Sequence, residues 1–450
     1  MTLKTRLSWR ELLFIGMMLF GLFFGAGNLI FPVFLGQQAG QQVGWAIIGL
    51  LITGIGLPLL GVTGIGLTRS EGVFDLAKTV NRPFAYLFTV LLYLTVGPFF
   101  ALPRLATTSF QIGIAPFVSH AHQGLVLASF SILFFVVAWL LARNPGKLMT
   151  YIGKWLTPIF LILLGLLILA TFIKPMGGFD FPARGAYVTS PLATGFTEGY
   201  NTLDALASLA FGIVVIDSIR ALGVTEPGQI AKDVIKAGTI SVGLMGLIYA
   251  LLALMGTMSL GKFTAAANGG ITLAQIANQY FGVFGNLLLA LIVIIACLKT
   301  AIGLISAFGD TFHGMFPRLP YTGLIIFASA LPCLFANVGL TNLISYSTPV
   351  LMFLYPLAIV LIVLAVLSPL LGTSRWLFGV TMLFTLIPAI FSAVDALPAN
   401  WQRQSLIQSI LTLNQHLPLA AQGFGWVAPA AIGALLGWVL SRTIKPKTIN

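Results

Sequence analysis

Some twelve stretches of roughly twenty mostly apolar residues follow one another through this chain, at 11–36, 43–66, 84–114, 124–142, 155–174, 196–220, 236–259, 283–310, 321–340, 343–368, 376–395 and 421–441. Helix rises 1.5 Å per residue, so each stretch is long enough to cross the ~30 Å hydrocarbon core of a bilayer. Lipid offers no hydrogen bonds, so such segments must satisfy their own backbone as helices. The composition agrees. Only 8% of the residues are charged, against about 25% in soluble domains. That excludes a soluble enzyme, a disordered chain and a nucleic-acid-binding protein, despite the net charge of +12. The expected fold class is an all-α integral membrane protein, with residues 1–450 as one polytopic domain.

The basic residues are sparse, and they test the count. With the N-terminus inside and strict alternation, the inner side receives Lys4, Arg6, Arg10, Arg69, Lys78, Arg82, Arg143, Lys147, Lys154, Arg220, Lys232, Lys236, Arg318, Arg375, Arg442, Lys445 and Lys447. The outer side receives only Lys174, Arg184, Lys262 and Arg403, while Arg104 and Lys299 fall inside segments. Seventeen against four is the asymmetry of cytoplasmic loops, and it predicts both termini inside. Trp9, Trp45, Trp155, Trp376 and Trp401 fall near segment ends, where an interfacial belt would hold them. The first segment does not read as a cleaved signal, because it runs on through Gly27-Asn28-Leu29-Ile30-Phe31-Pro32 with no small-residue cleavage site.

Two segments carry the wrong residues for a continuous helix. Segment 1 contains Gly25, Gly27 and Pro32. Segment 6 reads Glu198-Gly199-Tyr200-Asn201-Thr202-Leu203-Asp204-Ala205-Leu206-Ala207-Ser208, small and polar where lipid demands apolar. Close packing through glycine would account for segment 1 alone. Two interruptions about 180 residues apart, each opening a five-helix half, point instead to a transporter site between inverted repeats. There, bared N–H groups suit a carboxylate and bared carbonyls suit a cation or an ammonium.

The motifs Phe24-Gly25-Ala26-Gly27-Asn28-Leu29-Ile30-Phe31-Pro32, Gly97-Pro98-Phe99-Phe100-Ala101-Leu102-Pro103-Arg104 and Tyr200-Asn201-Thr202-Leu203-Asp204-Ala205-Leu206-Ala207 resemble the bacterial branched-chain amino acid:cation symporters of the BrnQ type. The resemblance extends through essentially the whole chain. It implies multi-pass residence in the bacterial cell membrane, and uptake of leucine, isoleucine and valine coupled to Na⁺ or H⁺. It also implies the leucine-transporter fold of five plus five inverted helices (11–174 and 196–368), with two further helices in 376–441. The expected substrate site is Gly25, Ala26, Gly27 and Asn28, faced by Ala207, Ser208 and Phe211 and walled by Phe99 and Phe100.

In that superfamily a cation site would correspond to carbonyls of Gly21, Phe24 and Ala296 and to two adjacent hydroxyls. Thr300 supplies one hydroxyl; the other position is Lys299. A charge at mid-membrane costs at least ~2.5–3.5 kcal/mol and is seldom idle. Three readings stay open. The ammonium replaces sodium and carries a proton, it pairs with Asp204, or its stem carries it elsewhere. The first favours H⁺-linked or Na⁺-independent uptake; Na⁺ at Gly21, Phe24 and Thr300 is the other possibility. Arg104 and Asp204 are the remaining intramembrane charges, expected inside the bundle.

Other signals are weaker. Gly54, Gly56, Gly61, Gly64 and Gly66 suit close helix packing better than a phosphate loop. His120, His122, His313 and His416 lack metal-ligand spacing. Cys297 and Cys333 read as packing residues. No resident cofactor is expected, and oligomeric state is not legible. A passive facilitator and a membrane-embedded enzyme are the rival functions. The 11 acidic residues offer the enzyme no catalytic constellation.

Overall fold

The computed structural model describes residues 6–402 and 404–443; Lys4, Arg403, Lys445 and Lys447 lie outside the described residues. Its helices, in chain order, are α1 (Trp9–Phe23), α2 (Ala26–Ala39), α3 (Val43–Leu51), α4 (Leu57–Leu67), α5 (Val73–Ala77), α6 (Arg82–Leu94), α7 (Ala101–Gly113), α8 (Gln123–Ala142), α9 (Thr157–Ile173) and α10 (Pro191–Glu198). There follow α11 (Asp204–Ala221), α12 (Pro227–Ser259), α13 (Gly269–Phe281), α14 (Val283–Met315), α15 (Tyr321–Phe335), α16 (Leu340–Leu371), α17 (Arg375–Asp395), α18 (Ala399–Gln402), α19 (Ser405–Gln415) and α20 (Val427–Thr443). No strand occurs among the described residues.

Every one of the twelve apolar segments carries helix. Nine described helices are long and apolar enough to cross a membrane, or ten if the bent pair Pro191–Thr202 and Asp204–Ala221 is one span. The difference from twelve has local causes. Segment 1 is cut into α1 and α2, and α2 runs on through α3 and α4 as one apolar stretch, Ala26–Leu67. The last segment begins at Val427 rather than at 421. Two stretches expected as loops contain the helices α13 and α19.

Each interruption has a chemical reason. Ser8 and Glu11 form a reciprocal cap that starts α1. The helix stops where Gly25 turns extended (φ −108°, ψ −156°). Within α2, Pro32 has no N–H to give the carbonyl of Asn28, four residues back. Between α10 and α11 the chain passes through Leu203 at φ +67°, a left-handed conformation that a branched residue adopts at a cost of roughly 1–2 kcal/mol. The sequence reading missed a third interruption. Segment 3 leaves helical geometry at Gly97 (φ −100°, ψ −122°), just before Pro98, and restarts at Ala101.

Helices α1, α2, α4, α11 and α12 pack on one another; α7, α8, α14 and α15 form a second group, and α16, α17 and α20 a third. Glycine makes the closest crossings possible. A Cβ on Gly36 would lie 1.9 Å from the carbonyl oxygen of Ala253, and one on Gly256 would lie 2.1 Å from that of Val33, so α2 and α12 meet backbone to backbone. In segment 2, a Cβ on Gly61 would lie 2.0 Å from Ser208 Oγ, and one on Gly54 or Gly64 would lie 2.9 Å from Tyr249 or Ala365. This is the small-residue packing of membrane helices.

Candidate functional site

The first and sixth segments break at the same place in the molecule. Asn28, in the first turn of α2, and Asp204, the first residue of α11, are 176 residues apart in sequence, yet their side chains are hydrogen-bonded. The N–H of Gly25 donates to Asn28 Oδ1 at 2.8 Å, which fixes the orientation of the amide. Asn28 Nδ2 therefore points at Asp204 and donates to Oδ1 at 2.9 Å and Oδ2 at 2.8 Å. The Tyr249 hydroxyl, from α12, donates to Asp204 Oδ2 at 2.5 Å and also contacts Asn28 Nδ2. Asn28, Asp204 and Tyr249 are all buried. Both groups facing the carboxyl can donate to it.

Beside this junction lies a small internal cavity. Gly25, Ala26, Gly27 and Asn28 line it from segment 1, and Thr202, Leu203, Asp204 and Ala207 from segment 6. Phe23, Val96, Ala101, Leu105 and Leu304 give it an apolar wall, with Arg104 and Thr300 as further polar members. The space open to water centres is about 30 Å³, enough for about two waters. A larger vestibule of about 310 Å³ adjoins it, lined by Ile30, Phe31, Phe34, Thr108, Glu198 and the start of α13. Gly27 and Arg104 line both spaces and form the partition between them.

Arg104 comes from α7. Its guanidinium donates to the carbonyl of Asn201 at 2.9 Å and lies over the Phe31 ring at 5.5 Å. It forms no ion pair with Asp204; the ion pairs seen among the described side chains, such as Lys78–Asp75 and Arg220–Glu71, are on exposed residues.

Not every expected residue reaches the cavity. Ser208 donates to the carbonyl of Ala205 at 2.7 Å and lies against Gly61 of α4. Phe211 packs edge-on against Phe23. Phe99 packs against Phe335 and Phe100, turned toward α15 by the kink at Gly97. These four residues are packing residues in this conformation, because the helical phase on either side of each break turns them away. Thr202, Val96 and Leu105 line the cavity in their place, while Tyr249 holds Asp204. An isolated polar residue in an otherwise apolar run (Leu247-Ile248-Tyr249-Ala250-Leu251) was the available signal for Tyr249.

Lys299 is completely buried, and its Nζ has no hydrogen-bond partner. It sits 3.9 Å from the centre of the Phe160 ring and 5.3 Å from that of Phe20, a cation–π arrangement. Of the three open readings, the pairing of Lys299 with Asp204 is absent from the structure. The carboxylate is already held by Asn28 and Tyr249, and the lysine points toward Gly21 and α9 instead. A Cβ on Gly21 would meet both Lys299 Cδ and Thr157 Oγ1, itself an unpartnered buried hydroxyl. Phe24 stacks on Phe20. Thr300 Oγ1 donates to the Ala296 carbonyl at 3.4 Å.

Comparison with known proteins decides the kind of machine. A family model described as branched-chain amino acid transport protein matches residues 8–444. The chain belongs to that family. It is 45% identical over 434 residues to the branched-chain amino acid permease BrnQ of Lactobacillus delbrueckii subsp. lactis, covering 96% of each chain. It is 40% identical to BrnQ of Bacillus subtilis (strain 168), covering 98% of each. To the branched-chain amino acid transport system 2 carrier protein of Pseudomonas aeruginosa it is 39% identical, covering 98% of this chain and 99% of the relative. The crystal structure of MhsT in complex with L-phenylalanine superposes with a TM-score of 0.57 at 13% identity, over 96% of this chain and 100% of that one. The fold is thus the leucine-transporter type, and members of the family are transporters rather than enzymes.

Proposed function

We propose that this chain is a secondary carrier for leucine, isoleucine and valine in the bacterial cell membrane, with both termini in the cytoplasm. The observation that carries the reading is the junction of two broken helices, Asn28 against Asp204, beside a cavity with polar ends and an apolar wall. A zwitterionic aliphatic amino acid needs that combination. The free backbone around Gly25–Asn28 supports one end of the cargo, and Ala207 leaves room beside it. The permease names of the relatives support the substrate class. Leucine, isoleucine and valine differ by about one methylene or its branching, worth only about 1–3 kcal/mol, so one site serves all three.

The vestibule and the cavity alternate in access as the group containing α1, α2, α4, α11 and α12 rocks against the rest. Coupling is H⁺-linked and independent of Na⁺. In sequence Lys299 takes the position of one of the two hydroxyls that would join Gly21, Phe24, Ala296 and Thr300 around sodium, and its unpartnered amine supports that reading. The test is uptake of labelled leucine into proteoliposomes, with unlabelled amino acids as competitors and Na⁺ replaced by choline. Accumulation above the outside level, displaced by isoleucine and valine, is expected. A facilitator would only equilibrate, and a strict Na⁺ requirement at fixed pH gradient would remove the proton-linked coupling.

A further inference from the structure

Two opposite charges face one cavity without meeting. Arg104 is 7% exposed and Asp204 is 1% exposed. Both line the space between the broken helices, and no ion pair joins them. Burying a charge without an ionic partner costs several kcal/mol, so a fold that buries two usually brings them together. Here each is held apart by a neutral partner. The backbone carbonyl of Asn201 restrains the guanidinium, and Asn28 and Tyr249 restrain the carboxylate. Spare capacity remains on both. Among the described residues Arg104 makes one hydrogen bond out of five N–H donors, and Asp204 Oδ1 accepts only one. One turn along α7 from Arg104, the Thr108 hydroxyl faces the vestibule, buried and unpartnered.

We infer that Arg104 and Asp204 are the charge-matching residues for the two ends of the cargo: the guanidinium takes the α-carboxylate, and the Asp204 carboxylate takes the α-ammonium. This rests on the carrier reading above. It moves recognition of the charged ends from bared backbone to two side chains. Arg104 lies on the partition, so it meets the carboxylate from the vestibule, with Thr108 as a stepping-stone. Asp204 lies deeper, at the start of α11. A zwitterion placed between them neutralises both charges at once, and Phe23, Val96, Ala101, Leu105 and Leu304 receive the aliphatic chain. An amino acid lacking either end leaves one buried charge unmatched.

The experiment is competition against labelled leucine bound to purified full-length protein, using leucinamide (no carboxylate) and 4-methylpentanoate (no ammonium). In the unaltered protein leucine should bind about 30-fold or more tighter than either analogue, the lower limit for a lost partner of a buried charge. R104Q should weaken leucine by that factor and leave leucinamide unmoved. D204N should weaken leucine and leave 4-methylpentanoate unmoved. R104K keeps the charge but loses the planar fork, and should fall between. If R104Q does not yield monodisperse protein, R104K carries the same comparison. Equal competition by leucinamide and leucine in the unaltered protein would overturn the assignment. So would variants that lose leucine and both analogues in parallel. Absence of leucine binding to the unaltered protein would instead defeat the carrier reading itself.

Discussion

At the scale of single residues, the site is tightly packed around Gly27. A Cβ on Gly27 would stand 3.2 Å from the Arg104 guanidinium and 3.2 Å from the Phe31 ring. Gly27→Val should therefore abolish leucine uptake while leaving membrane insertion intact, as checked by uptake beside quantified membrane expression. Asn28→Ala removes the acceptor for Gly25 and a donor to a buried carboxylate. Hydrogen bonds to charged groups contribute about 1.5–3 kcal/mol each. A clear fall in the thermal midpoint of the purified protein is expected, along with lost uptake. Lys299→Met keeps the bulk of the stem between Phe20 and Phe160 but removes the charge. Leucine binding should persist while concentrative uptake no longer follows the pH gradient, measured in proteoliposomes at clamped potential. What sequence could supply at this scale was the residue type: the three intramembrane charges, the Gly25–Asn28 motif and the polar run in segment 6 all stand out against apolar surroundings. What it could not supply was direction. Ser208 and Ala207 are neighbours, and only the rotation of α11 after Leu203 decides that Ala207 lines the cavity while Ser208 meets Gly61.

At the scale of elements, the breaks at segments 1 and 6 were legible because glycine, proline and polar residues have no other business in mid-bilayer. The break at Gly97 was harder to see, since Gly-Pro also occurs in helices that merely kink. Helix α13 was hidden for a different reason. It is amphipathic and begins with an Asn268 cap after a loop, so apolar length gave no hint of it. Leu203 invites a direct test. Leu203→Gly relieves about 1–2 kcal/mol of left-handed strain but deletes a buried side chain worth about 2–5 kcal/mol, so a lowered thermal midpoint is expected. The crossing of α2 and α12 invites another test. Gly36→Val drives a side chain into the Ala253 carbonyl, and loss of monodisperse protein on size-exclusion chromatography is expected.

At the scale of the whole molecule, hydropathy fixed the class, and the pattern of basic residues gave an orientation that can be tested by labelling. With cysteine introduced at Asn268, beside the vestibule, a membrane-impermeant maleimide should react from outside intact cells; cysteine at exposed Arg220 should react only after permeabilisation. The shape of the compartment lay beyond the sequence, because it depends on how three broken segments meet. The compartment at that meeting point holds about two waters, which is less than any of the proposed passengers occupies. Loading therefore requires the walls to part, and the affinity an experimenter records is the intrinsic one reduced by the cost of that opening. Trimming Leu105 or Leu304 adds room but removes wall that the leucine chain would touch, so competition should shift from leucine toward bulkier apolar amino acids.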